Sequence, residues 1–231
     1  MAPALPAVPS RPVRVLVVGD STAMATAKGL VNWANVNPAY VKVSSAASAG
    51  CGFLLDGAQE MDEGGAFAKQ CAKVRKGLPS KQASFRPDVV VGMVTVTDVD
   101  ERVWDPAEGP IGPTDPRFHD RLVAAYDAAS QGFLANGASD VVWTVPSVPA
   151  VYYDEAHQYL LDPARHEAYA TALREVAARY PGQVEVADVA AWVAAQPSPP
   201  DRPDGLHWSR SGAFQLADQF LGPVLVTAAL S

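Results

Sequence analysis

Five short runs along the chain are apolar almost throughout, and most lead into a stretch where apolar residues recur every three or four positions. The runs are VRVLVVG (13–19), AYVKVSS (39–45), DVVVGMVTV (88–96), DVVWTVP (140–146) and QVEVADV (183–189). Continuous β-branched and aliphatic runs of this length suit strands covered on both faces, as in a parallel sheet. Helical spacing predicts amphipathic helices over 22–34, 68–85, 116–136, 163–180 and 209–221, with Pro79 a candidate break in the second. Asn136-Gly137 makes a helix stop before the fourth strand. Alternation of strand and helix predicts a three-layer α/β/α sandwich with helices on both faces of a five-stranded parallel sheet. No internal repeat or second boundary divides residues 13–231. The Pro/Ala-rich start, residues 1–12, reads as a stiff extended linker.

Bulk properties narrow the partners. The 231 residues are 48% hydrophobic and 19% charged, as in a globular protein with a sizeable core. A net charge of −7 argues against nucleic acid or an anionic membrane as the main partner. No run approaches the roughly 20 apolar residues of a membrane span, and no signal peptide is visible. The leading Met before a linker-like start fits either a native beginning or a piece of a longer protein. Two cysteines, Cys51 and Cys71, are too few for a zinc site and lack CxxC spacing. They read either as separate buried thiols or as one disulfide stapling a glycine-rich loop. Pro/Gly-rich segments 104–117 and 194–205 are long for connectors, and such loops at the edge of an α/β sheet tend to carry function.

Candidate chemistry begins where the first strand ends. In VRVLVVGDSTAMATAKGL the strand runs into Gly19, Asp20 and Ser21, and a helix follows at once. Ligands of open α/β sheets bind outside the carboxyl ends of the strands, so Ser21 stands where a nucleophile would. A helix cap is the competing role. A nucleophilic serine needs a base, and the base an orienting acid. His119, His157 and His166 lie in polar contexts and read as solvated surface residues. His207 differs: in RPDGLHWSRSG it follows Asp204 by one short turn and precedes a helix start. A turn at Gly205 can bring carboxylate and imidazole into register, leaving the other ring nitrogen for the serine.

Gly-Asp-Ser after the first strand, with Asp-x-x-His before the last helix, resembles the SGNH (GDSL-like) hydrolase superfamily. The resemblance implies a flavodoxin-like sheet and ester chemistry without metal or cofactor. It assigns Ser21 as nucleophile, His207 as base and Asp204 as acid. It also implies an oxyanion hole built from the Ser21 N–H, a glycine N–H in SSAASAGCGF (Gly50, with Gly52 the alternative) and an asparagine after the third strand. The family's Gly-x-Asn-Asp falls on Thr95-Val96-Thr97-Asp98, so Thr97 replaces the asparagine. Together RVLVVGDS, the GCG, a second cysteine before RPDVVV, DVDER and DGLHWSRSGA resemble the SGNH domains of bacterial integral-membrane acyltransferases. That likeness implies a Cys51–Cys71 disulfide, a site outside the cytoplasm or a secreted protein, tethering to a membrane acyltransferase unit, and a small-molecule or carbohydrate ester as substrate. Asp20 reads as structural, and Arg102 and Trp208 as candidate pocket walls. Two other readings compete: an SGNH shell that binds a glycan or protein partner, favoured by the missing asparagine, and Mg²⁺-dependent phosphoryl transfer on Asp98 and Asp100. The latter lacks a Gly-rich phosphate loop.

Overall fold

Strand β1 (Val13–Gly19) forms the middle of one half of a parallel sheet, between β2 (Val41–Ser45) and β4 (Val89–Met93). Beyond β4 lie β6 (Asp140–Val145) and β7 (Val184–Asp188), giving the order β2-β1-β4-β6-β7. These are the five strands expected from the apolar runs. A two-stranded antiparallel pair, β3 (Ala58–Gln59) and β5 (Arg102–Val103), was not legible in the sequence. This computed structural model describes residues 4–62, 65–152 and 154–231; the first three residues of the expected linker lie outside them.

Period-two alternation splits the sheet into two cores. Val13, Val15 and Val17 face α1 (Ser21–Val36), α5 (Val189–Ala194), α6 (Arg210–Leu216) and α7 (Gly222–Ala228). Leu16, Val18 and Val90 face the side that holds α2 (Ala66–Phe85), α3 (Pro116–Ala135) and α4 (Pro163–Arg179). The result is the three-layer α/β/α sandwich. On the α1 side the helices approach closely: a Cβ on Gly29 would lie 2.1 Å from the Ala213 carbonyl oxygen of α6.

Two helices and the linker depart from the sequence reading, as does one strand. Helix α2 is unbroken through Pro79; it is pinned on either side by Cys71 and by the buried Gln82, whose amide donates to the Phe133 carbonyl at 3.2 Å. The last helix does not stop at 221. Gly222-Pro223 passes through a widened turn over Ala217–Leu221, in which the Gly222 N–H reaches the Ala217 carbonyl, and α7 continues to Ala228. The linker is anchored at its end, because Arg11 forks onto Asp88 through two 2.7 Å hydrogen bonds.

The strand expected over 88–96 ends at Met93 for a reason that also places Ser21. Gly19 has φ +128°, and a Cβ there would sit 1.9 Å from the Met93 carbonyl oxygen. Only glycine lets β1 pass β4 so closely. Asp20 then caps α1, and its carboxylate, fully buried, accepts from the Thr22 N–H (2.9 Å), the Thr22 hydroxyl (2.7 Å), the Thr95 N–H (3.0 Å) and the Thr97 hydroxyl (3.3 Å). The chain after β4 is thus folded onto the turn that carries Ser21. On the loop after β2, Cys51 forms a disulfide with Cys71 of α2, as the resemblance implied.

Two stability outcomes follow. Replacing Cys51 and Cys71 by alanine removes a 20-residue closure, which costs about 3 kcal/mol. The melting temperature should fall by roughly 5–10 °C and become insensitive to reductant; an unchanged melting temperature contradicts the staple. Asp20→Asn keeps one acceptor oxygen and sets an NH2 group against donors. Unfolding in urea should show a loss of about 2–4 kcal/mol; a loss under about 0.5 kcal/mol contradicts the Asp20 account.

Candidate functional site

The N-terminus of α1 presents Ser21 as its first helical residue. As the first residue of the helix, Ser21 has an N–H without an intrahelical partner, and Asp20 spends its side chain on Thr22, Thr95 and Thr97. Ser21 is therefore not the cap; Asp20 is, and the serine hydroxyl is free for another bond. His207 supplies it, with Nε2 2.7 Å from the Ser21 Oγ although 186 positions separate the two.

The other half of that contact is built locally. Gly205 turns the chain at φ +77°, packed so tightly on Val151 that a Cβ would meet the Val151 nitrogen at 2.7 Å. Asp204 then accepts on one oxygen from the backbone N–H groups of Leu206 (3.0 Å) and His207 (2.7 Å), and its other oxygen lies 2.7 Å from His207 Nδ1. Partial burial pushes the Asp204 carboxyl up, but the His207 ring and these N–H groups outweigh it and hold it at about 2. The carboxylate is charged across the neutral range, which fixes the Nδ1–H tautomer and turns the Nε2 lone pair to Ser21. Ser209 starts α6, its hydroxyl accepting from the Gly212 N–H at 3.0 Å, and so anchors the histidine loop to the helix that packs on α1. Hydroxyl, imidazole and carboxylate stand in line, an arrangement able to draw a proton off the serine.

The remaining predicted residues lie on the loops after β2 and β4. Gly50 (φ +69°) follows β2, and its N–H donates to no group among the described residues. Its carbonyl faces Cys71 Sγ at 3.4 Å, so the disulfide buttresses this turn. Thr97 is buried, and its hydroxyl donates to Asp20 at 3.3 Å. Asp98 carries the loop next to Gly50: its carboxylate accepts from the N–H groups of Phe53 (2.7 Å) and Leu54 (3.3 Å) and from the Tyr126 hydroxyl (2.7 Å). Burial pushes the Asp98 carboxyl up, opposed by the Arg102 charge and these N–H donors. Asp100 accepts from the N–H groups of Met61 and Glu101 and from the Tyr159 hydroxyl. Both carboxylates are thereby engaged by protein donors, and no group of three metal-type side chains occurs among the described residues.

One cleft opens at the serine, and another lies beside Gly50 and Thr97. The first, of about 860 Å³, is lined by Ser21, Met24, Lys28, Val31, His207 and Trp208. The other, of about 290 Å³, is lined by Gly50, Thr97, Gln59, Asp62, Arg75 and Arg102. Trp208 and Arg102 are therefore walls of different clefts. Arg75 escaped the sequence reading because it sits among Lys73 and Lys76 with nothing in the pattern to set it apart. His166, read as solvated, is buried, with Nε2 2.8 Å from the Leu160 carbonyl; burial lowers its proton affinity. His119 and His157 are half-exposed and paired with Glu175 and Asp154.

No curated protein sequence matches the chain. A putative SGNH hydrolase from Slackia heliotrinireducens is similar over 96% of this chain and 100% of its own, at 16% identity and a TM-score of 0.55. The periplasmic domain of a lipopolysaccharide acetyltransferase from Salmonella Paratyphi A is similar over 92% of this chain and 83% of its own, at 12% identity and a TM-score of 0.57. Est24, a carbohydrate acetylesterase from Sinorhizobium meliloti, covers 95% of this chain and 100% of its own, at 15% identity and a TM-score of 0.52. At these identities the likeness is one of fold. The family model described as an SGNH domain fused to AT3 domains matches residues 4–222, and the chain belongs to that SGNH family.

Proposed function

We propose that the chain carries out serine-dependent acyl-ester chemistry, either ester hydrolysis or O-acyl transfer, on a carbohydrate or cell-envelope substrate. The observation that supports it most is the pair of 2.7 Å contacts that link Ser21 to His207 and His207 to Asp204. His207 Nε2 takes the Ser21 proton as Oγ bonds to the ester carbonyl carbon, and Asp204 stabilises the imidazolium. The carbonyl oxygen, now an oxyanion, is held by the N–H groups of Ser21 and Gly50. Collapse breaks the bond to the alcohol, which leaves with the proton from His207. Water or an acceptor hydroxyl then gives its proton to His207 and attacks the acyl-serine, releasing acid or new ester. Thr97 joins as a third donor by giving up its long 3.3 Å bond to Asp20.

Residues 13–231 act as the catalytic domain and residues 1–12 as its linker. A family typically fused to AT3 domains favours tethering to a membrane acyltransferase unit, and the disulfide suits an oxidising compartment outside the cytoplasm. Among the described residues no helix is long and apolar enough to cross a membrane. The carbohydrate substrate class draws on the acetyltransferase domain and the carbohydrate acetylesterase of similar fold. The second reading, a glycan- or protein-binding module, draws on the Thr97 hydroxyl being spent on Asp20.

A fluorophosphonate probe and a short p-nitrophenyl ester separate the two. Ser21 should be labelled, and Ser21→Ala should lower ester turnover by about a thousandfold or more. Asp204→Asn should lower it by about a hundredfold or more. No labelling together with no turnover favours the binding module, and turnover that survives Ser21→Ala overturns the assignment of Ser21 as nucleophile.

A further inference from the structure

We propose that the cleft beside Gly50 and Thr97 is an anion subsite, in which Arg75 and Arg102 hold a carboxylate or phosphate carried by the ester substrate. This rests on the reading of Ser21 as an acyl-transfer nucleophile, because the cleft shares Gly50 and Thr97 with the oxyanion hole of that reading. An anion bound there is part of the molecule whose carbonyl lies at Ser21.

Unused guanidinium donors in the cleft point to an anion. Arg102 is 4% exposed, and its Nε–H has no acceptor. Its other donors make long contacts to carbonyls, 3.3 Å to Asp56, 3.5 Å to Gly57 and 3.4 Å to Thr97, and its ion pair with Asp98 spans 3.6 Å. The Arg75 side chain, one turn along α2 from Cys71, makes no hydrogen bond or ion pair among the described residues. Partial burial lowers its proton affinity, with Asp98 attracting its charge and Arg102 repelling it. Two guanidinium groups therefore share a wall with spare donors, a geometry that suits the planar fork of a carboxylate or the oxygens of a phosphate.

The carboxylates around them are committed. Asp98 is filled by Phe53, Leu54 and Tyr126. Asp62 accepts from the Phe67 and Ala68 N–H groups that open α2. Asp56 pairs with Arg121 at 2.8 Å. The other cleft, by contrast, presents Met24, Val31 and Trp208 beside Ser21. The groove at Ser21 is mostly apolar, with Lys28 and Arg210 on its wall. The cleft beside Gly50 and Thr97 adds Arg75 and Arg102, so the reach from one to the other suits an ester with a charged arm.

The test compares charged and neutral esters matched in length, after subtraction of spontaneous hydrolysis. Mono-p-nitrophenyl succinate against p-nitrophenyl butyrate places the charge on the acyl arm. 4-Acetoxybenzoate against 4-acetoxybenzamide places it on the alcohol arm, and 4-acetoxyphenyl phosphate extends that arm to a phosphate. The charged member of at least one pair should be preferred by about tenfold in kcat/KM. That ratio should fall to about one in Arg75→Gln, recover in part in Arg75→Lys, and shrink at high salt. No preference in any pair, or a preference that survives Arg75→Gln, overturns the subsite. If no ester is turned over, the acyl-transfer reading fails, and calorimetry with monomethyl succinate and with inorganic phosphate decides the subsite separately. Binding weakened about tenfold by Arg75→Gln supports it; absent or unaffected binding overturns it.

Discussion

The Asp20 carboxylate is the constraint from which the site is assembled. A carboxylate offers about four acceptor positions, and here all four are met by the Thr22 N–H and hydroxyl, the Thr95 N–H and the Thr97 hydroxyl. Such a group is tolerated without solvent only because every lone-pair direction is filled. The bonds tie the end of β1, the start of α1 and the loop after β4 to one point. With Asp20 as cap, Ser21 enters the helix with its N–H unpaired and its hydroxyl free. The longest of these bonds, 3.3 Å from the Thr97 hydroxyl, ties the loop after β4 to the Ser21 turn.

His207 reaches Ser21 through packing rather than through sequence proximity. Helix α6 lies against α1 closely enough that Gly29 has no room for a side chain beside Ala213, and Ser209 fixes where α6 begins. The Asp204 turn then aims the imidazole. The loop after β2 is held from two sides, by the Cys51–Cys71 disulfide and by Asp98 through the Phe53 and Leu54 N–H groups. Rigid support on both sides of the serine is what a preorganised site requires.

Much of this was legible because it is written in local chemistry. Valine runs identify the buried strands, Gly19-Asp20-Ser21 the turn, and Asp204-x-x-His207 the acid and imidazole. The failures share a different cause: each depends on tertiary contacts that override a local signal. Pro79 and Gly222-Pro223 are breakers by composition, yet α2 is held through Cys71 and Gln82, and the last helix absorbs its proline in a widened turn. His166 looks polar in sequence and is buried against Leu160. The orientation of the Thr97 hydroxyl and the isolation of Arg75 are set by neighbours distant along the chain, which no pattern within a short window records.

The central claim, that His207 activates Ser21 toward an acyl carbonyl held by the loop after β2, is most directly tested by a crystal structure of the protein after reaction with a fluorophosphonate. The account predicts phosphorus bonded to Ser21 Oγ, with the phosphoryl oxygen within about 3 Å of the Ser21 and Gly50 nitrogens and His207 beside the oxygen it deprotonated. An adduct on another residue, or a phosphoryl oxygen turned away from Gly50, would contradict it.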